Sequence, residues 1–136
     1  MSVLCVLGIS SVVGIAFALE CPSDKVYARV IKKTTKWASE ESFTISAGNN
    51  VEFTSPKLSD NSERLFEICF PITSNHLYTL TMKDSSKDSW SSGAWIAIKD
   101  ANDYTVFKGI MAFTDIEMYD FALYSPIMKN AEWKFT

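Results

Sequence analysis

Residues 84–90, Asp-Ser-Ser-Lys-Asp-Ser-Trp, are the stretch of this chain with the most side chains able to do chemistry. Two carboxylates stand four apart among serine hydroxyls, and hard oxygen donors of this kind suit Ca²⁺, which makes Asp84 and Asp88 candidate calcium ligands. Asp100 and Asp103, in the following turn, are further candidate donors. The stretch is not an EF-hand loop, and Lys87 between the carboxylates repels a cation, so a second reading stands beside the first: both aspartates accept hydrogen bonds from their own loop as Asx turns. Trp37, Trp90, Trp95 and Trp133 could present flat faces to sugar rings, and Trp90 and Trp95, with Asp84 and Asp88, have the composition of a glycan site, in which a ring stacks on the apolar face of a sugar and carboxylates meet its hydroxyls. Against that, aromatic residues of a β-rich domain are more often core.

Catalysis finds little support. His76 is the sole histidine, in the polar run Thr73-Ser74-Asn75-His76, and no nucleophile-elbow serine motif occurs. Paired carboxylates such as Asp84 and Asp88 are the groups a glycosidase uses, but the separation that such a mechanism needs is a property of the fold. The chain therefore reads as a non-enzyme, with a small hydrolase as the weakest alternative.

The elements that must position these residues are strands. Tyr78, Leu80 and Met82 alternate with Thr79, Thr81 and Lys83 ahead of the acidic loop, and Trp95, Ile96 and Ile98 follow it. Upstream, residues 25–33 set Val26, Ala28 and Val30 against Tyr27, Arg29 and Ile31, with a β-branched content that favours a strand. Residues 42–47 and 51–54 flank Gly48-Asn49-Asn50, a hairpin signature. Residues 64–70 form a further strand stopped by Pro71, and more strands are expected at 104–107, 119–124 and 133–135, with 111–118 ambiguous. Short strands with regular turn signals and no sustained helical period predict an all-β antiparallel β-sandwich of jelly-roll or CUB-like size.

The first 19 residues carry no charged side chain and are apolar throughout, and Ala16-Phe17-Ala18 supplies the small residues of a peptidase site. Residues 1–18 are thus expected to be a signal peptide and 19–136 a single domain, secreted and without a membrane segment after cleavage; the alternative is a retained anchor. Cys5 would leave with the leader, so Cys21 and Cys69 are expected to pair in an oxidising compartment. Closing that 48-residue loop constrains the unfolded chain by roughly 4 kcal/mol. With 13 basic against 16 acidic residues and a net charge of −3, there is no basic footprint for phosphate backbones, which argues against a nucleic-acid partner.

Two segments read alike. Phe66, Ile68, Pro71, Ile72 and Asn75 match Phe121, Leu123, Pro126, Ile127 and Asn130, at an offset of 55, while Trp37, Phe43, Ile45 and Asn49 match Trp90, Ile96, Ile98 and Asn102 at an offset of 53. An internal duplication follows, with unit one at about 25–77 and unit two at about 78–136, each a four-stranded layer that buries its apolar face on the other. The first unit has Lys33-Thr34-Thr35-Lys36-Trp37 where the second has its aspartates, so a site carried by this loop is expected in the second unit.

Residues 78–98 also resemble a pattern of secreted proteins of microbial eukaryotes, Y-x-L-x-hydrophobic-x-D-S-x-G-D-G-W-x-x-G-x-hydrophobic-x-I. Here Tyr78, Leu80, Met82, Asp84, Ser85, Asp88, Trp90, Gly93, Trp95, Ile96 and Ile98 carry it, with Lys87 and Ser89 at the two loop glycines. The closing residues 121–136 resemble the end of a repeat in such proteins. The resemblance implies β structure and secretion and brings no assigned reaction. The expectation from the sequence is a secreted recognition module that binds a glycan or cell surface through residues 84–95. The alternative is a structural or protein-interaction module of a secreted or surface layer.

Overall fold

The computed structural model describes residues 20–112 and 115–125. The expected leader, the strand at 133–135 and the Pro126 corner lie outside the described residues. Among the described residues eight strands are formed: β1 (Lys25–Lys33), β2 (Glu41–Ala47), β3 (Asn50–Thr54), β4 (Glu63–Pro71), β5 (Leu77–Asp84), β6 (Trp95–Lys99), β7 (Thr105–Gly109) and β8 (Ile116–Ala122), with one 3-10 turn at Ala38–Glu40. They make two four-stranded antiparallel sheets, ordered β4-β1-β6-β7 and β3-β2-β5-β8, so the molecule is an all-β sandwich. The ambiguous residues 116–118 belong to β8, which begins earlier than the apolar run alone suggests. Pro71 closes β4, an edge strand, where its missing N–H leaves no ladder bond unmade. Among the described residues no helix is long and apolar enough to cross a membrane.

Period-two alternation places Val26, Ala28 and Val30 of β1, Phe43 and Ile45 of β2, Tyr78, Leu80 and Met82 of β5 and Ile96 and Ile98 of β6 in one buried core between the sheets. Cys21 and Cys69 are joined by a disulfide, with Cα atoms 5.6 Å apart, which ties the segment ahead of β1 to edge strand β4.

The strand order is the same in both halves of the chain. Substituting β5 to β8 for β1 to β4 turns the order of one sheet into that of the other, a pseudo-twofold arrangement. The halves are nevertheless not separate layers, because β1 and β4 of the first half pair with β6 and β7 of the second, and the second sheet is mixed in the same way. The expectation of one four-stranded layer per unit is thus corrected: the halves interlock.

Ladder register fixes which residues correspond. The ladder shifts between Ile45 and Ser46 in β2 and between Ile98 and Lys99 in β6, an offset of 53. Val30 lies between Ile98 and Phe66, and Leu80 between Ile45 and Tyr119, so Phe66 answers to Tyr119 and not to Phe121, whose counterpart is Ile68. Side-chain packing agrees with that register. The open sides of the sandwich are closed by Phe53 against Phe66 on one side and Phe107 against Tyr119 on the other, both with ring centroids 5.2 Å apart.

Candidate functional site

Strand directions gather residues 34–40, 55–62, 85–94 and 110–112 at one end of the sandwich, and put the disulfide, the turn at 72–76 and the turn at 100–104 at the other. The two loops that cross between the sheets, 34–40 and 85–94, correspond under the pseudo-twofold and pack on each other. Ser85 N–H donates to Glu40 O at 2.9 Å, Ser91 Oγ to Lys36 O at 2.5 Å and Thr35 Oγ1 to Ser92 O at 2.9 Å. Gly93 makes this approach possible: its φ is +87°, and a Cβ there would meet Thr35 Cγ2 at 3.2 Å.

The residues expected to form one recognition surface are dispersed. Asp84 is buried, and its Oδ2 accepts from Asp88 N–H at 2.7 Å, an arrangement that orders the loop from within. Burial raises its pKa above the ordinary carboxylate range, the Asp88 amide opposes that, and the Asp88 and Glu40 charges add to the rise. Trp90 is only 6% exposed; it belongs to the core, its Nε1–H donating to Lys83 O at 3.0 Å. Trp95 is half-buried on the outer side of its sheet, and Lys108 Nζ covers its ring at 4.7 Å. Asp88 alone of the four is exposed. A surface made of Asp84, Asp88, Trp90 and Trp95 together is therefore not what the fold builds, because β5 ends by turning Asp84 inward and the loop then carries Trp90 down between the sheets.

For a cation, the expected donors regroup. Glu40 joins Asp84 and Asp88, with one carboxylate oxygen of each within 4.8 Å of the others, whereas Asp100 and Asp103 lie at the far end. There Asp100 Oδ1 accepts from Asn102 and Tyr104 N–H, and Asp103 pairs with Arg29. Three carboxylates could supply part of the six to eight oxygens that Ca²⁺ takes, with loop carbonyls as the remaining source. His76, at that same far end, stacks on Tyr124 with centroids 4.7 Å apart and is nowhere near the carboxylates, so these groups do not form an acid–base pair.

A buried ion pair underlies the loops. Lys32 continues the inward alternation of Val26, Ala28 and Val30, and is fully buried. Its ammonium donates to Glu41 Oε1 at 2.7 Å and to Lys33 O at 2.9 Å, and it lies 3.9 Å from the Trp90 ring centroid. Glu41 Oε2 accepts from Ser91 N–H at 3.1 Å. Desolvation lowers the pKa of Lys32, and the hydrogen bond and charge of Glu41 work against that fall. Extending the alternation of β1 by one step forward finds Lys32 in the sequence, and extending that of Phe43 and Ile45 by one step back finds Glu41.

The exposed tryptophan of this end is Trp37. It stands in the left-handed region at φ 60°, 66% exposed, immediately ahead of the 3-10 turn. That conformation is uncommon for a bulky residue and is held on both sides: Trp37 O accepts from Glu40 N–H at 3.0 Å, and Asp60 Oδ1 accepts from Ala38 N–H at 2.9 Å. Thr34 anchors the same loop to residues 55–62, accepting from Ser62 N–H at 3.0 Å and donating to Ser59 O at 2.6 Å. Around Trp37 lies a pocket of about 400 Å³, lined also by Thr35, Lys36, Asn61, Ser91 and Ser92. An open indole ringed by hydroxyls, an amide and an ammonium can stack a flat apolar face while hydrogen-bonding its rim.

No protein family, curated protein or solved structure compared with this chain matches it. One local feature bears on the resemblance drawn from residues 78–98. Lys87 and Ser89, which occupy the glycine positions of that pattern, have φ of 60° and 67°, so they hold a conformation that glycine adopts at no steric cost.

Proposed function

We propose that this chain is a secreted recognition module that binds saccharide through the pocket around Trp37. The observation that carries the reading is a solvent-exposed indole pinned in a left-handed conformation at the junction of three loops, with polar side chains around it. Exposed aromatic area held rigidly costs little entropy on binding, and the rim residues supply the hydrogen bonds that set orientation. In this reading residues 84–95 act twice: Ser91 and Ser92 line the pocket, while Trp90 and Asp84 hold the loop in place beneath it. Secretion is supported by the apolar leader and by the Cys21–Cys69 bond, which persists in oxidising compartments.

The test is a glycan array probed with wild type and Trp37→Ala. Saccharide binding by the wild type that Trp37→Ala abolishes without a change in melting temperature supports the reading; binding that survives in Trp37→Ala contradicts it. A second reading, a protein-interaction module, is favoured by Ile116 and Met118, exposed apolar side chains on edge strand β8 that do not line the pocket. Size-exclusion chromatography of Met118→Lys against wild type distinguishes it, since loss of self-association would favour that surface.

A further inference from the structure

The hydrogen-bonding inventory of the Trp37 pocket indicates the charge of its ligand. Five of the six lining residues have their backbone carbonyl already engaged. Thr35 O accepts from Asn61 N–H at 2.8 Å, Lys36 O from Ser91 Oγ at 2.5 Å, Trp37 O from Glu40 N–H at 3.0 Å, Ser91 O from Ala94 N–H at 3.0 Å and Ser92 O from Thr35 Oγ1 at 2.9 Å. The loop contacts that build the pocket thus take one of the two lone pairs of each of these carbonyls. The nearest carboxylate in sequence, Asp60, has one oxygen committed to Ala38 N–H.

The six lining side chains carry one full charge, the Lys36 ammonium, and no carboxylate. Among the described residues, the side chains of Lys36, Asn61 and Ser92 have no hydrogen-bond or ion-pair partner, and all three are exposed. An ammonium brings donors, a positive charge and no acceptor, whereas the amide and the hydroxyls both donate and accept. A neutral sugar can therefore hydrogen-bond the amide and hydroxyls of this lining but has nothing to set against the charge of Lys36. A sugar carrying a carboxylate presents acceptors and a negative charge, and would meet Lys36 by a charge-assisted hydrogen bond while its ring lies on Trp37.

We propose that the pocket selects acidic saccharides, those with a carboxylate on the ring that stacks on Trp37, and that Lys36 is the residue that determines this specificity. The inference rests on the saccharide reading given above. It is tested by calorimetric titration of the purified protein with galacturonic acid oligomers against galactose oligomers of equal length, and with sialyllactose against lactose. Wild type should bind at least one acidic member and prefer it roughly ten- to a hundredfold over its neutral counterpart. Lys36→Gln should erase that preference, Lys36→Arg should keep most of it, and raising salt should weaken the acidic ligand alone. Neutral and acidic ligands bound equally, with binding lost in Trp37→Ala, would overturn the acidic selectivity and leave the saccharide reading standing. Binding of no saccharide of either kind would overturn both. A preference that survives Lys36→Gln would remove Lys36 from its role. The Lys36 side chain is exposed and without a partner, so its variants are expected to melt with wild type, and a melting curve of each confirms that binding is read on folded protein.

Discussion

Trp37 and Trp90 are 53 residues apart, occupy corresponding loops of the two halves, and have opposite fates: one is 66% exposed and the other 6%. The difference lies in what each loop has beneath it. Under residues 85–94 stands the Lys32–Glu41 pair, whose ammonium takes the face of Trp90 and whose second carboxylate oxygen takes the Ser91 amide, so the indole is drawn inward. Residues 34–40 are held instead from outside, by Asp60 on Ala38 and by Ser91 and Thr35 across the two loops, which leaves the Trp37 ring to solvent. The same residue type in equivalent loops can therefore serve as core in one and as contact surface in the other, and a pseudo-twofold in strand order does not carry function over with it. Elsewhere the halves stay alike: Leu58 and Met111, also 53 apart, are both buried under their loops.

The sharpest break between the two loops is in stability. Trp90→Ala should cost roughly 3 to 5 kcal/mol through lost burial and the cavity left behind, measured by chemical denaturation. A cost under about 1 kcal/mol would place Trp90 with exposed residues and dissolve the contrast. Glu41→Gln probes what holds Trp90 in place. Leaving the Lys32 ammonium buried without its countercharge should cost about 3 to 5 kcal/mol, whereas replacing both members by Lys32→Met with Glu41→Leu should recover most of it.

A smaller effect separates a structural aspartate from a cation ligand. The pKa of Asp84 is raised in the folded protein, so the folded state binds more protons than the unfolded one between the two values. Stability on this account is fully present below the unfolded pKa and declines as pH rises through the folded one. Melting curves against pH should show that decline in wild type and lose it in Asp84→Asn. If Glu40, Asp84 and Asp88 hold Ca²⁺, adding the ion at neutral pH should raise the melting temperature of wild type and chelation should reverse it, with no response in Asp84→Asn. Smaller still, Lys87→Gly and Ser89→Gly should each stabilise by about 1 kcal/mol, because both positions are left-handed and glycine takes that conformation without strain. Destabilisation by either would mean that the side chain does more than its geometry indicates.

Much of the fold was legible because it depends on local rules. Alternation located the strands, Gly48-Asn49 the first hairpin, and the pairing of Cys21 with Cys69 followed from reading the apolar first 19 residues as a leader. The repeated strand order was visible in part, but its register was not. Phe66 and Phe121 look alike, yet cross-strand partners decide correspondence, and those assign Tyr119 to Phe66. The candidate site was harder to read because exposure of a loop residue depends on nonlocal partners. Asp84 and Trp90 have the composition of a surface site, and only the ends of β1 and β2 reveal that the loop turns them inward. Trp37 was one of four tryptophans with a ring that could stack on a sugar, and nothing in its own loop, which lacks aspartates, set it above the others until Asp60, Asn61, Ser91 and Ser92 were brought beside it.

The role of Trp37 is tested most directly by saccharide binding of Trp37→Ala, titrated beside wild type on protein whose melting temperature is measured in parallel. Trp37→Ala should melt within about 0.5 kcal/mol of wild type, as for an exposed loop position, and lose saccharide binding. Binding retained at wild-type affinity by a Trp37→Ala protein that melts with wild type would contradict that role.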